Sequence, residues 1–226
     1  MVPAEHEATL RLLVRNFLAE NAHVNLSAFR TEDACWAGNV LDSVPLLDVT
    51  ERLGVTAGSR FLDVGTGGGF PMLALAACLP ECGFTGLDST GKKIEAVRRI
   101  AEGTGLDNVE GLIADRAEVA GRSREEREAY DFVLARAIGA TSVVLEYCAP
   151  FAKVGGRLII WKSMHIEEEL MACANAEEAL GCEMEEPHRY DLGEAGGQRQ
   201  LVIYRKVRPT TKAFPRPVGQ AKKHPL

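Results

Sequence analysis

Residues 5–20 (EHEATLRLLVRNFLAE) place Leu10, Leu13, Val14, Phe17 and Leu18 on one face at helical spacing, the pattern of a helix that buries one stripe. A polar connection (NAHVNLSAFR) follows, and a second helical stretch is expected from about 31 to 49. Thr31 is placed to cap it, with Glu32 and Asp33 in the first turn, where acidic side chains meet unpaired N–H groups. Then the rhythm changes. Residues 60–64 (RFLDV), 83–88 (GFTGLD), 109–114 (VEGLIA), 131–135 (DFVLA) and 157–161 (RLIIW) read as short buried strands. Helix-like stretches separate several of them, and that alternation implies right-handed crossovers and a parallel sheet. A helix over 166–180 comes next. The segments 182–187 and 200–206 then bracket a Gly-rich loop (GEAGGQ), which predicts an antiparallel pair at one sheet edge. The expected fold is α/β: a doubly wound, Rossmann-like sheet, mostly parallel, with an antiparallel C-terminal edge and preceded by N-terminal helices. Expected boundaries are 1–50 for the helical extension, 51–208 for the sheet domain and 209–226 for a basic tail.

The most informative stretch is 61–71 (FLDVGTGGGFP), which follows a strand and opens an apolar helix. Glycines at 65, 67 and 69 permit positive φ and let a ligand approach the backbone. In a doubly wound sheet this loop lies at the carboxyl end of the first strand, where cofactors bind. A dinucleotide site wants G-x-G-x-x-G, so that pyrophosphate rests on a helix N-terminus. Here the spacing is G-x-G-x-G, with Asp63 two residues before Gly65. An acidic residue there suits the cationic amino group of S-adenosylmethionine and repels a pyrophosphate. The absence of G-K-[ST] excludes a triphosphate P-loop. The alternative is a Gly-rich turn that binds nothing. Asp88 ends the second strand, where an acidic side chain accepts hydrogen bonds from ribose hydroxyls; it could also be only a helix cap. Asp115 follows the third strand, near the expected position of an adenine edge, with Ala117 and Glu118 beside it. A solvent-facing Asp-Arg pair is the plainer reading of that position.

Composition narrows the class. Of 226 residues, 46% are hydrophobic and 26% charged, ordinary for a globular protein. No apolar run approaches the length a membrane helix needs. The N-terminus (MVPAEHEATLRLLV) lacks a basic-then-apolar signal pattern, so export is not expected and a cytoplasmic location is. Cysteines at 35, 78, 82, 148, 173 and 182 form no C-x-x-C pair, and Pro80 separates Cys78 from Cys82. Reduced thiols and no metal site are expected. The net charge of −6 is uneven: from Arg205 onward there are seven Lys and Arg and no Asp or Glu, which leaves −13 on the first 204 residues. An acidic body repels phosphate and a basic tail attracts it. The tail could equally be a solvated, disordered end.

Taken together, NLSAFR (25–30), VLDSV (40–44), FLDVGTGGGFP (61–71), LDSTGKK (87–93), RAE (116–118) and ARAIG (135–139) resemble the bacterial RsmG, or GidB, family. The ending, with RQLVIYRKV, TTKAFPRPVG and KKHPL, is similar as well. The resemblance implies a class I methyltransferase fold and S-adenosylmethionine-dependent methylation of guanine N7 in 16S rRNA. The partner it implies is 16S rRNA or the small ribosomal subunit. Carried over by matching position, Gly65, Phe70, Ala117, Glu118 and Arg136 would contact the cofactor or line its pocket. Arg136, after the fourth strand, could face substrate too, or form a structural ion pair. There are departures: Asn39 stands where the family usually has His before LDS, and Gln200 replaces His in the pattern G-E-R-H-L. Met72 and Ala74 depart from the family's F-P-G-x-P helix start. Any His-dependent substrate contact is thereby in doubt.

Guanine N7 carries a lone pair and no proton at neutral pH, so no general base is expected and catalysis would rest on alignment, with Arg136 positioning. Lys92, Lys93 and Arg98 after the second strand, with Lys212, Arg216, Lys222 and Lys223 in the tail, are the candidate phosphate contacts. Phe70, Phe214 and Tyr190 are candidate stacking partners for an unstacked base, or else packing residues. A monomer is expected. Methylation of a protein or small molecule, a Rossmann oxidoreductase, and an RNA-binding protein without turnover remain alternatives.

Overall fold

The computed structural model describes residues 2–193 and 196–226. Glu194 and Ala195 of the expected Gly-rich loop lie outside the described residues. A 3-10 turn (Ala4–His6) leads into α1 (Glu7–Asn21), whose buried face carries Leu10, Leu13, Val14 and Phe17. The next helical stretch is broken into α2 (Glu32–Cys35), a π-helical turn (Trp36–Val40), α3 (Leu41–Ser43), a 3-10 turn (Val44–Val49) and α4 (Thr50–Leu53). Thr31 Oγ1 accepts the Ala34 N–H at 3.3 Å, as a cap should. The single helix expected over 31–49 is corrected: Pro45 offers no N–H to an α ladder, and the turn at Gly38 is pressed against the Phe29 ring, 2.1 Å from where a Cβ would sit.

Strands and helices then alternate: β1 (Arg60–Val64), α5 (Met72–Cys78), β2 (Gly83–Asp88), α6 (Gly91–Thr104), β3 (Val109–Ala114), α7 (Ala117–Ala120), β4 (Tyr130–Arg136), α8 (Thr141–Cys148) and β5 (Ala152–Ser163). They are followed by α9 (Glu167–Met171), α10 (Ala174–Leu180), β6 (Cys182–Asp191), β7 (Gln198–Lys206) and α11 (Gln220–Lys223). The helix expected over 166–180 is thus two short ones. The sheet order is β3-β2-β1-β4-β5-β7-β6. Neighbours from β3 to β5 pair in parallel, whereas β7 runs antiparallel to both β5 and β6. The edge strand β6 is therefore parallel to the rest, and only β7, one place in from the edge, is reversed. This refines the expected antiparallel edge. The order reverses direction at β1, whose neighbours are β2 and β4, so the cleft of a doubly wound sheet opens at their carboxyl ends.

Period-two alternation splits the core between the two sheet faces. Phe61, Phe132, Leu134, Ile159, Trp161, Leu201 and Ile203 face α1 and α5, while Leu62, Val133, Leu158, Ile160, Val202 and Tyr204 face α8 and α10. On the first face the rings of Phe84, Phe61 and Phe132 stack across three strands, at 4.8 and 4.7 Å between centroids. The N-terminal segment belongs to this core and is not a separate lobe.

Residues 209–226, expected as a tail, pack on the sheet domain. Ala221 is 1% exposed. Arg127 donates to the carbonyls of Thr210 and Phe214 at 2.7 and 3.0 Å. Arg216 forks onto Glu146, with Nε to Oε1 at 3.0 Å and Nη2 to Oε2 at 2.6 Å. Glu146 is 0% exposed, and its carboxylate raises the Arg216 pKa. Arg216, expected as an RNA contact, is thus held in an ion pair with Glu146 while its side chain stays 25% exposed.

Candidate active site

At the end of β1 the chain turns sharply. Gly65 and Thr66 donate their N–H groups to the Leu87 carbonyl at 2.8 and 2.9 Å, tying the loop to β2. Gly65 adopts φ +74°, and a Cβ there would lie 2.6 Å from Ile138. Both facts require glycine: the loops after β1 and β4 close on each other at this point. Asp88, at the end of β2, accepts the Gly67 N–H at 3.0 Å with one carboxylate oxygen and the Thr90 N–H at 2.8 Å with the other. It closes a turn ahead of α6, whose N-cap is Thr90, and clamps the glycine loop.

A cavity of about 530 Å³ opens beneath these contacts, within the range of small-molecule sites. Of the residues expected to bind a cofactor, Gly65, Gly67, Phe70, Asp88, Asp115, Ala117, Glu118 and Arg136 line it. Asp63 and Gly69 do not line it. Gly69 turns towards Leu73. Asp63 is 1% exposed, and among the described residues neither carboxylate oxygen has a hydrogen-bond partner at normal geometry, nor does Thr66 Oγ1 beside it. Burial pushes its carboxyl up to about 6, although Thr66, Arg136 and the Met72 N–H counteract part of that shift. Glu118 is buried and accepts the Gly219 N–H at 3.0 Å, which brings the C-terminal segment to the cavity wall.

Sequence reasoning missed several lining residues. Phe17 comes from α1 and meets Phe70 edge-on at 5.3 Å. Leu26, Ser27, Ile138 and Tyr147 also contribute. Phe17 was legible only as part of an apolar stripe; nothing local marked it as part of a site. Among the candidate RNA contacts, Lys93 and Lys222 reach the cavity rim. Lys92, Lys212 and Lys223 are exposed, and Arg98 pairs with Glu95 at 3.6 Å on the exposed face of α6. Tyr190 bonds Asp42 at 2.7 Å and Phe214 packs against the core, so both have packing roles.

Arg136 ends β4 at the cavity wall. Its Nη1 donates to the Gly38 carbonyl at 3.2 Å and to Asp42 at 3.1 Å, and its Nη2 to Asn39 Oδ1 at 2.8 Å. The π-helical turn thus presents a carbonyl and an amide oxygen to one guanidinium, a use typical of such turns at functional sites. Asp42 also accepts from Tyr190, and its carbonyl accepts the Trp161 indole N–H at 2.6 Å. Arg136 thus forms the structural ion pair while also standing in the cavity wall. Gln200, the other departure, donates to the Ser163 carbonyl at 3.0 Å and faces the strand pair.

The GidB family profile, described as rRNA small subunit methyltransferase G, matches residues 6–202. Ribosomal RNA small subunit methyltransferase G of Symbiobacterium thermophilum is 38% identical over 210 residues, covering 91% of this chain and 84% of that protein. The protein of the same name from Deinococcus radiodurans is 38% identical over 224 residues, covering 99% and 87%. Among solved structures, the 16S rRNA (adenine(1408)-N(1))-methyltransferase from Catenulisporales acidiphilia aligns with a TM-score of 0.55 at 18% identity, over 72% of this chain and 94% of that one. M. jannaschii TYW2 in complex with AdoMet aligns at 0.52 and 16% identity, over 72% and 77%. At such identities the likeness establishes a shared fold alone. The family match and the curated relatives carry the assignment further: this chain belongs to the GidB family, rRNA small subunit methyltransferase G.

Proposed function

We propose that the protein transfers the methyl group of S-adenosylmethionine to N7 of one guanine in 16S rRNA. The observation that carries the cofactor assignment is where the acids stand. Lys93, Arg116, Arg136 and Lys222 line the cavity as well as Asp88, Asp115 and Glu118, but Asp63 is buried beneath the glycine loop with no hydrogen-bond partner among the described residues. A carboxylate there disfavours a pyrophosphate on the loop and favours a cation. The residues present fit the group. Asp88 keeps acceptor capacity for ribose hydroxyls after bonding Gly67 and Thr90, and Asp115 with Ala117 stands where an adenine edge would lie. The Asp63 charge lies near enough to favour an ammonium. When bound, the cofactor supplies an electrophilic methyl on a sulfonium.

The chain's own task is alignment. Guanine N7 needs no deprotonation, so no side chain has to act as a base, and holding the partners in line is worth several kcal/mol. Arg136 fixes the wall between cofactor and substrate through Asn39 and Asp42. Lys93 and Lys222 at the rim, with Lys92, Lys212 and Lys223, favour phosphates near the mouth of an otherwise acidic protein. The cofactor class is tested by thermal shift, since only a ligand of the native state raises the melting temperature. S-adenosylmethionine and S-adenosylhomocysteine should raise it and NAD should not; the reverse would favour the oxidoreductase reading.

A further inference from the structure

We propose that a second cavity, behind Arg136, receives the target guanine once it is unstacked from the RNA; this rests on the methyl transfer to rRNA proposed above. The cavity measures about 820 Å³ and lies between the segment before the sheet, the carboxyl ends of β4 and β5, and the start of β7. Arg136, Ala137 and Ile138 belong to the walls of both cavities. A base seated in the second therefore presents an edge to the contents of the first. The shared wall is strained: Ala137 holds φ +58°, a region an L-residue seldom occupies and that recurs at ligand sites.

The walls suit a nucleobase. Phe29, partly exposed, offers aromatic surface for stacking, and the edge of the 5%-exposed Trp161 floors the cavity; stacking is the usual means of holding an unstacked base. The Trp161 indole is held in place by its bond to the Asp42 carbonyl at 2.6 Å. Arg199 also lines the cavity, and its Nε is buried with no hydrogen-bond partner among the described residues. A buried donor left unmade is costly, so this N–H asks the ligand for an acceptor. Guanine carries acceptors at O6 and N7 side by side, whereas adenine has an amino donor beside N7. With N7 at the shared wall, O6 is the neighbouring atom, and a donor there selects guanine over adenine. Arg199 is on this reading a substrate-binding residue.

The test uses Arg199→Gln, Arg199→Lys and the cavity-filling Ala37→Phe, each with three measurements. These are melting temperature, S-adenosylmethionine affinity by calorimetry, and kcat/KM on unmodified small subunits and free 16S rRNA. Cofactor affinity should stay at the wild-type value in all three variants. The kcat/KM should fall about ten-fold or more in Arg199→Gln, the worth of one charged hydrogen bond, with partial recovery in Arg199→Lys. Ala37→Phe should lose transfer likewise, and it decides the matter if Arg199→Gln proves unstable. GMP should bind the S-adenosylhomocysteine-loaded wild type better than AMP, a preference that Arg199→Gln abolishes. If the wild type methylates rRNA and Arg199→Gln and Ala37→Phe match it, the base pocket is overturned and the function stands. If the wild type methylates no ribosomal substrate, the function falls and the pocket assignment with it.

Discussion

Arg136 and Asn39 meet at 2.8 Å, guanidinium Nη2 to amide oxygen, and this contact joins the end of β4 to the π-helical turn that precedes the sheet. The second arm of the fork reaches Asp42, whose side chain is 11% exposed against 19% for Arg136. Breaking a fully buried pair costs about 3–5 kcal/mol; here Tyr190 also holds Asp42, so Arg136→Ala should cost about 2–3 kcal/mol. Arg136→Lys keeps the charge but loses the fork, and should recover stability more than transfer rate. Urea unfolding and single-turnover methylation separate the two. Equal recovery of both would reduce Arg136 to a structural ion pair.

Asp88 and Gly67 form the other joint of the site. Asp88→Ala removes the acceptors of the Gly67 and Thr90 N–H groups together with the proposed ribose contact. S-adenosylmethionine affinity should fall about ten-fold or more, with Asp88→Asn intermediate. Calorimetry gives the answer directly, and an unchanged Kd would remove Asp88 from the cofactor site.

The Asp63 carboxyl is raised by burial from an ordinary 3.8 to about 6. The folded state therefore holds its proton longer than the unfolded chain. The contribution to stability is highest below about 4 and is lost as pH rises through about 6, amounting to about 3 kcal/mol over the window. Binding a cation favours the ionised carboxylate, so the cofactor should release a proton at low pH. Its affinity should weaken about ten-fold per pH unit below about 6. Titrations at pH 5 and 7.5 check this, and Asp63→Asn should flatten the profile. The same slope in that variant would mean that another group is responsible.

The C-terminal segment carries a prediction opposite to a simple RNA-binding tail. Deleting residues 209–226 strips Arg216 from the 0%-exposed Glu146 and Gly219 from Glu118. An unpaired buried carboxylate costs about 3–5 kcal/mol. Melting temperature and cofactor affinity should therefore fall together with methylation. A truncated protein with wild-type stability and cofactor binding, but no RNA methylation, would restore the tail to a purely RNA-facing role.

Much of the fold was legible because strands read as short apolar runs: those at 60–64 and 83–88, largely buried, and the partly buried edge strand at 109–114 all end where they were expected to. The glycine loop and Asp88 were legible because their chemistry is local. The reversed strand was harder to place: 200–206 looks the same in sequence whether β7 lies at the edge or one strand in. Phe17 and Tyr147 were not legible as site residues, since their place in the cavity follows from tertiary packing. The Arg216–Glu146 pair was not legible because a chain of cations looks solvent-facing until its partner, seventy residues away, comes into contact. Asp63 was read as a ligand contact from its spacing; the strand's alternation puts its buried side chain on the Phe61 face of β1, beneath the glycine loop.

The most direct measurement incubates the purified protein with tritiated S-adenosylmethionine and either unmodified small subunits, free 16S rRNA or bulk protein. Label should enter the rRNA and be released on digestion as 7-methylguanine. Label in protein, in another base, or nowhere despite measurable cofactor binding would leave the family and fold intact and contradict methylation of guanine N7.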